Sequence, residues 1–290
     1  MPVSVFVAAM TAVIIFGGSA IGTKLAVSGI SAIDVAILRT VIGGFCALPL
    51  ALFLRIQLPI ANFQRGLLLL SGFCGFIVFP LMFTFGVMLT SANHATMILA
   101  ILPVMTGAIA MIWDRQSTKF LWWIGCAVAF GGEIILIYEP VTGPTSANIE
   151  GDLLVLVGNI FAAFGYVAGA RLQRSGYSAK GTTFWGVSLF ALLLAPVAPF
   201  VLDFETLKVA GSLAWAGVFY QAIGVTIIGY ILWYWSLGTG GIARVGLLQF
   251  LQPVSGVTLA WIILSEQFSV NFVIASGLIM LGVILAFRAK

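Results

Sequence analysis

Charge is what this chain has least of. Asp, Glu, Lys and Arg make up 8% of its 290 residues, against roughly 25% in an ordinary soluble domain. A water-soluble fold with so few charges could not cover its own surface. Together with 61% hydrophobic residues and a mean hydropathy of +1.17, this marks an integral membrane protein. Histidine occurs once, as His94. Cys46, Cys74 and Cys126 lie in apolar runs without metal-ligand spacing, so they read as small hydrophobes. No cofactor and no metal is expected. Paired acids, a His/Glu ligand set or a Ser beside a His, one of which an intramembrane enzyme needs, are missing from the predicted spans. No G-x-x-x-x-G-K-S/T loop occurs, which rules out direct use of ATP through that motif. The basic residues are scattered, and a net charge of +4 offers no nucleic-acid surface.

What the chain does have is long apolar runs. At about 20 apolar residues per crossing, they fall near 4–23, 33–54, 67–88, 93–113, 119–138, 152–170, 183–202, 211–235, 242–264 and 269–287. This predicts an all-α membrane protein of ten helices. The first run lacks a basic flank and is too long for a signal h-region, so it is read as a retained helix. The longest connection, 139–151, divides the chain into a first repeat, 1–138, and a second, 152–290.

The connections can be tested for charge. With the amino terminus cytoplasmic, the cytoplasmic side holds Arg55, Arg65, Arg115, Lys119, Arg171, Arg174, Lys180, Arg244, Arg288 and Lys290. The other side holds only Lys24, Arg39 and Lys208. Ten against three predicts both termini in the cytoplasm. Five helices per half then makes the two halves inverted copies, meeting at a site near the bilayer midplane. A second sign of duplication is the stretch Thr90–Ala110, TSANHATMILAILPVMTGAIA, which parallels Gly240–Ala260, GGIARVGLLQFLQPVSGVTLA, with Pro103 laid on Pro253.

Candidate functional residues are the polar and aromatic groups inside these spans, since unpaired polarity facing lipid is costly. The candidate substrate contacts are Phe16, Phe79, Pro80, Phe83, Met97, Asn159, Tyr220, Gln221, Tyr230, Gln249 and Gln252. Candidate gating residues are His94, Pro103, Arg244 and Pro253, the first and third being pseudo-equivalent in the two repeats. Thr226 and Tyr166 belong to the same polar and aromatic set. Amide groups and carbonyls freed by proline suit a zwitterion's ends, and aromatic walls suit its side chain. Alternative readings stand beside these. Trp233, Tyr234 and Trp235 close a predicted helix and read first as an interfacial belt, Lys24 and Arg39 as interfacial anchors. The prolines can be simple kinks, and the glutamines and phenylalanines plain helix packing.

The chain resembles the drug/metabolite transporter superfamily, specifically its ten-helix exporters built of two EamA-type repeats. The resemblance covers the whole chain. It rests on FGGSAIGTK (Phe16–Lys24), VAILRTVIGGFCALPLAL (Val35–Leu52), FGYVAGARL (Phe164–Leu172) and LQPVSGVTLAWIILSEQFSVNFVIASGLIMLGVIL (Leu251–Leu285), the last containing Pro253, Glu266 and Gly277. Length and aromatic content look most similar to the YddG-type aromatic amino-acid exporters. Phe16 stands where the family often has Trp, and Asp114, Arg115 or Gln116 where it often has Glu. The resemblance implies a secondary transporter of the bacterial inner membrane, a monomer or weak homodimer in the lipid bilayer, exporting amino acids by alternating access. Drug or nucleobase export is the alternative cargo.

Overall fold

The computed structural model describes residues 1–89, 98–99, 101–115, 118–137, 149–252, 254–256, 258–259 and 270–289, and no strand occurs among them. The principal helices are α1 (Val3–Val27), α2 (Ala32–Phe53), α3 (62–89), α4 (Leu102–Asp114), α5 (Phe120–Ile137), α6 (Ile149–Arg174), α7 (Ala179–Leu194), α8 (Ser212–Gly240), α9 (from Ile242) and α10 (Val270–Arg288). Two short helices, Ala198–Val201 and Phe204–Val209, lie between α7 and α8. Among the described residues, α1, α2, α3, α6 and α8 are long and apolar enough to cross a bilayer; Leu102–Asp114, Phe120–Gly132, Ala179–Leu194 and Val273–Arg288 are shorter apolar helices.

Helix ends follow local chemistry rather than the limits of the apolar runs. Ser31 caps α2 by accepting from Asp34 N at 3.1 Å, and Ser178 caps α7 by accepting from Gly181 N at 3.0 Å. The predicted span 183–202 is interrupted: α7 stops at Leu194, and Pro196, two residues on, has no N–H with which to continue the helical ladder. In the other direction, α8 runs five residues beyond its predicted end at Trp235, to Gly240. At 1.5 Å per residue that is roughly 7.5 Å more helix.

Two helices are irregular in the same way. α3 consists of Asn62–Gly72, a π-helical turn at Phe73–Val78 and Phe79–Leu89. α8 carries a π-helical stretch at Tyr220–Gly229. Each is the third long helix of its half. α9 opens with the turn Ile242–Val245 and tightens to 3₁₀ geometry over Gly246–Leu251. Wide or tight turns of this kind mark places where the helix ladder gives way.

The halves interleave. α1 packs on α8 and α6 packs on α3, while α2 pairs with α7, α4 with α9 and α5 with α10. Exchanging the halves turns this set of pairs into itself, which is the contact signature of a two-fold relation between them. Small residues permit the closest crossings. A Cβ on Gly282 would lie 2.4 Å from Ala129 N, and one on Gly125 would lie 2.5 Å from Ala286 N, so α5 and α10 meet backbone to backbone. At the α1–α8 crossing a Cβ on Gly217 would lie 2.4 Å from Gly22 O and 2.6 Å from Ala26 N. Backbone cannot move aside as a flexible side chain can. Gly217→Val is therefore expected to lower the yield of monodisperse protein several-fold on size-exclusion chromatography, whereas Gly66→Ala, whose Cβ meets nothing within 4 Å, leaves it unchanged.

Candidate functional site

The irregular stretches of α3 and α8 face a common centre. Pro80, buried in α3, has no N–H to offer the carbonyl of Phe76 four residues earlier. That carbonyl instead accepts from Thr40 Oγ1 of α2 at 2.9 Å, and the neighbouring Gly75 carbonyl accepts from the Tyr230 hydroxyl at 3.4 Å. Side chains from α2 and α8 thus satisfy backbone groups that the distorted helix releases, as the bilayer interior demands.

Around this point the aromatic side chains of both halves converge. Tyr230 (α8) lies 5.8 Å from Phe16 (α1), 4.9 Å from Phe76 (α3), 5.9 Å from Tyr166 (α6) and 5.4 Å from Tyr234, centroid to centroid. Trp233 completes the group, 6.0 Å from Phe16 and 5.9 Å from Tyr166. Most of these pairs are edge-on, the arrangement that sets a ring's positive rim against its neighbour's negative face. Gly229 makes the approach of Phe16 possible, since a Cβ there would sit 2.6 Å from the ring. Four helices, two from each half, supply this cluster.

Polar groups border it. Tyr166 lies against Tyr230, with Gln249 close by. Gln249 Nε2 donates to Gln252 Oε1 at 3.4 Å, and Gln252 Nε2 reaches the Phe16 carbonyl at 3.5 Å. Arg39, from α2, donates from Nη2 to Thr226 Oγ1 at 3.4 Å and lies within electrostatic range of Tyr230 and Tyr166. Buried atoms without a hydrogen-bond partner among the described residues include Trp233 Nε1, Gln249 Oε1, Asn159 Oδ1 and Thr106 Oγ1. Unmet buried donors and acceptors are costly in a resting protein, and a ligand that meets them recovers that cost.

The expected site residues divide into groups. Phe16, Tyr230 and Gln249 come together here, with Gln252 at the edge. Phe79 and Phe83 stack on each other at 5.6 Å and pack against Gly158 of α6, beside the centre. Asn159 is fully buried and donates from Nδ2 to the Ile98 carbonyl. Tyr220 and Gln221 face α1: the Tyr220 hydroxyl donates to Ile15 O at 2.9 Å, and Gln221 Nε2 reaches Ser19 O at 2.6 Å and Thr23 Oγ1 at 2.7 Å. Their polarity is spent on joining α8 to α1. Pro103 is not a mid-helix kink; it occupies the first turn of α4, where a missing N–H removes no helical bond. Arg244 is exposed and lies over the Phe287 ring at 5.4 Å, away from the aromatic centre. Met97, His94 and Pro253 lie outside the described residues.

Two expectations are corrected. Trp233 and Tyr234 are 0% exposed and do not form an interfacial belt, because α8 continues well past them and carries them inward. Arg39 does not anchor α2 at an interface, because its guanidinium turns to Thr226, near the middle of α8. A signal for Arg39 existed: it stands seven residues inside an apolar run, where an ionisable group is a functional candidate by default. Phe76 had no such signal, since one phenylalanine in an apolar run is like any other.

Gln221 gives a test of the structural group. Gln221→Leu leaves Ser19 and Thr23 without their partner, a loss of about 1–3 kcal/mol. It is expected to lower the Tm of the purified protein by several degrees while leaving substrate affinity within about twofold.

A charged latch closes one end of the bundle. Asp114, at the end of α4, pairs with Arg171 and, at 3.2 Å, with Arg174 of α6. Arg171 also stacks over Trp113 at 5.0 Å, and Trp113 meets Phe164 edge-on at 6.4 Å. At the same end Tyr177 donates its hydroxyl to Gln57 O at 2.8 Å, and burial pushes its pKa up to about 12. Trp185 Nε1 donates to Ile56 O at 2.9 Å. These contacts join the first half to the second.

A two-fold helical membrane bundle with polar and aromatic groups gathered where the halves meet is the architecture of a membrane transporter. The chain belongs to the EamA-like transporter family, whose model matches residues 3–138 and again 149–288. Its relatives include the uncharacterized transporter YdeK of Bacillus subtilis, 30% identical over 255 residues, which are 88% of this chain and 87% of that protein. An uncharacterized transporter of Archaeoglobus fulgidus is 25% identical over 221 residues, 76% of each chain. YetK, another uncharacterized transporter of Bacillus subtilis, is 27% identical over 278 residues, 92% of this chain and 82% of its own. A solved crystal structure shares the fold, with a TM-score of 0.81 over 99% of this chain and 97% of that one at 18% identity. The protein is a multi-pass membrane transporter, not an enzyme.

Proposed function

We propose that this protein is a secondary transporter that exports small amphipathic metabolites, amino acids including aromatic and neutral ones, by alternating access. In this reading ten spans form two inverted repeats, 1–138 and 152–290, with both termini in the cytoplasm and the substrate site at the aromatic centre. The bacterial inner membrane is the proposed location, and a monomer or weak homodimer the working unit. The narrower likeness to YddG-type exporters belongs to the same proposal.

The observation that carries it is the composition of that centre. Phe16, Phe76, Tyr166, Tyr230 and Trp233 come from both halves, and the neighbouring Trp233 Nε1 and Gln249 Oε1 are one donor and one acceptor without partners. An apolar or aromatic side chain fits the rings, and a polar head fits the unmet groups. Because the rings are supplied by both halves, a rocking motion of one half against the other remakes the site on either side.

Purified protein in liposomes, given labelled Phe, Trp, Thr and Met with and without a pH gradient, tests the assignment. Saturable uptake of at least one, competed by the others, is expected. Transport of a cationic drug or nucleobase, with every amino acid refused, overturns the amino-acid assignment in favour of the alternative cargo.

A further inference from the structure

Arg39 has more donors than the bundle uses. A guanidinium offers five N–H groups in a planar fork, and its one recorded side-chain hydrogen bond among the described residues is the 3.4 Å contact to Thr226 Oγ1. The ion pairs recorded among those residues, Asp114 with Arg171 and Arg174 and Glu205 with Lys208, do not involve it. Yet it stands against the helix interior, within electrostatic range of Tyr230 and Tyr166, two members of the aromatic centre. It also keeps part of its surface accessible, unlike Thr226 and Tyr230, which are 1% and 2% exposed. A cation is expensive at this depth, and a protein normally meets the expense with a carboxylate.

We propose that Arg39 is a carboxylate-binding residue of the substrate site, so that the transported solutes carry a carboxylate next to an apolar or aromatic body. The geometry of the guanidinium suits this: its fork accepts a carboxylate with two parallel hydrogen bonds, which a single hydroxyl cannot use. The surrounding groups suit the rest of such a solute. The Tyr230 and Tyr166 rings, near Arg39 and 5.9 Å from each other, offer such an apolar body an aromatic wall. Gln249 Oε1, buried and without a partner, is an acceptor available to an ammonium or other donor. The carboxylate of a solute bound this way pairs directly with the Arg39 guanidinium.

This inference rests on the proposal that the aromatic centre is the substrate site, and it names the chemical class that the site selects. Three matched probes test it: phenylalanine, 3-phenylpropionate, which lacks the ammonium, and phenethylamine, which lacks the carboxylate. Each is assayed as a competitor of labelled phenylalanine in liposomes and as a ligand of detergent-purified protein by thermal shift. For the wild type, phenylalanine and 3-phenylpropionate are expected to bind and phenethylamine to bind at least about tenfold more weakly, since a charge-assisted pair is lost. Arg39→Gln is expected to weaken the two carboxylates at least tenfold and phenethylamine less than twofold, with Arg39→Lys between wild type and Arg39→Gln for the carboxylates. Thermal shift reports folding as well as binding, so Arg39→Lys keeps the test valid if Arg39→Gln is unstable. A wild type that transports phenylalanine and binds all three probes equally, or folded Arg39 variants that lose all three alike, overturns the inference while leaving the transporter site in place. A wild type that binds none of the three while transporting another solute overturns the underlying amino-acid reading instead.

Discussion

Tyr230→Ala is expected to abolish amino-acid transport, while Tyr230→Phe keeps it within a few-fold of the wild type. The ring is 2% exposed and touches Phe16, Phe76, Tyr166 and Tyr234, side chains from four different helices. Truncating a buried aromatic ring to alanine costs about 3–5 kcal/mol. Inside a bilayer, packing of this kind is itself a main source of helix association. The hydroxyl matters less. Its 3.4 Å bond to Gly75 O is long, and losing it costs about 1 kcal/mol or less. Binding of labelled phenylalanine to the monodisperse fraction separates function from folding. A Tyr230→Ala protein that stays monodisperse and binds with wild-type affinity would show that the aromatic centre is packing only.

The second large effect is at the latch. Asp114→Asn removes one of the two accepting oxygens and leaves Arg171 and Arg174 close together without their counter-charge. The bond to the partly buried Arg171 contributes about 1.5–3 kcal/mol and that to the more exposed Arg174 about 1 kcal/mol or less, and 1.4 kcal/mol is tenfold in an equilibrium. The latch bridges α4 and α6, one helix from each half, so its loss favours the conformation in which that end is open. Thr106, buried on α4 two turns before Asp114, serves as a reporter. In a chain with Cys46, Cys74 and Cys126 replaced, Thr106→Cys is expected to react with a small water-soluble thiol reagent at least tenfold faster when Asp114→Asn is also present. An unchanged rate would mean that the pair is a surface ornament that does not hold the halves together.

The class of the fold was legible because it follows from quantities that add up along a chain. Apolar runs need no knowledge of contacts, and the family match to residues 3–138 and 149–288 agrees with a duplicated bundle. The irregular geometry was not legible. Pro80 signals a disturbance in α3, but no proline marks the π-helical stretch Tyr220–Gly229 of α8, which packs against α1 and α2. The centre was half legible. Tyr230, Gln249 and Phe16 stood out by type, yet type could not tell Gln249 from Gln221, whose amide is consumed by Ser19 and Thr23. Depth was the weakest inference. Reading α8 as ending at Trp235 placed Trp233 and Tyr234 at an interface, and five further helical residues moved them into the core. Arg39 was misplaced for the opposite reason, because a long flexible cation near a helix start resembles an anchor until its partner across the bundle is known.

The central claim is that the aromatic centre is a substrate site open to each side of the membrane in turn. Phe16→Cys, in a chain with the three native cysteines replaced, places one thiol at that centre, at a position 5% exposed in this conformation. Its reaction rate with a membrane-impermeant thiol reagent is measured in right-side-out and inside-out vesicles, with and without phenylalanine. Labelling from both sides is expected, slowed several-fold by phenylalanine in each orientation. A thiol that reacts from neither side, or from one side only and without protection by phenylalanine or the other amino acids, contradicts that claim.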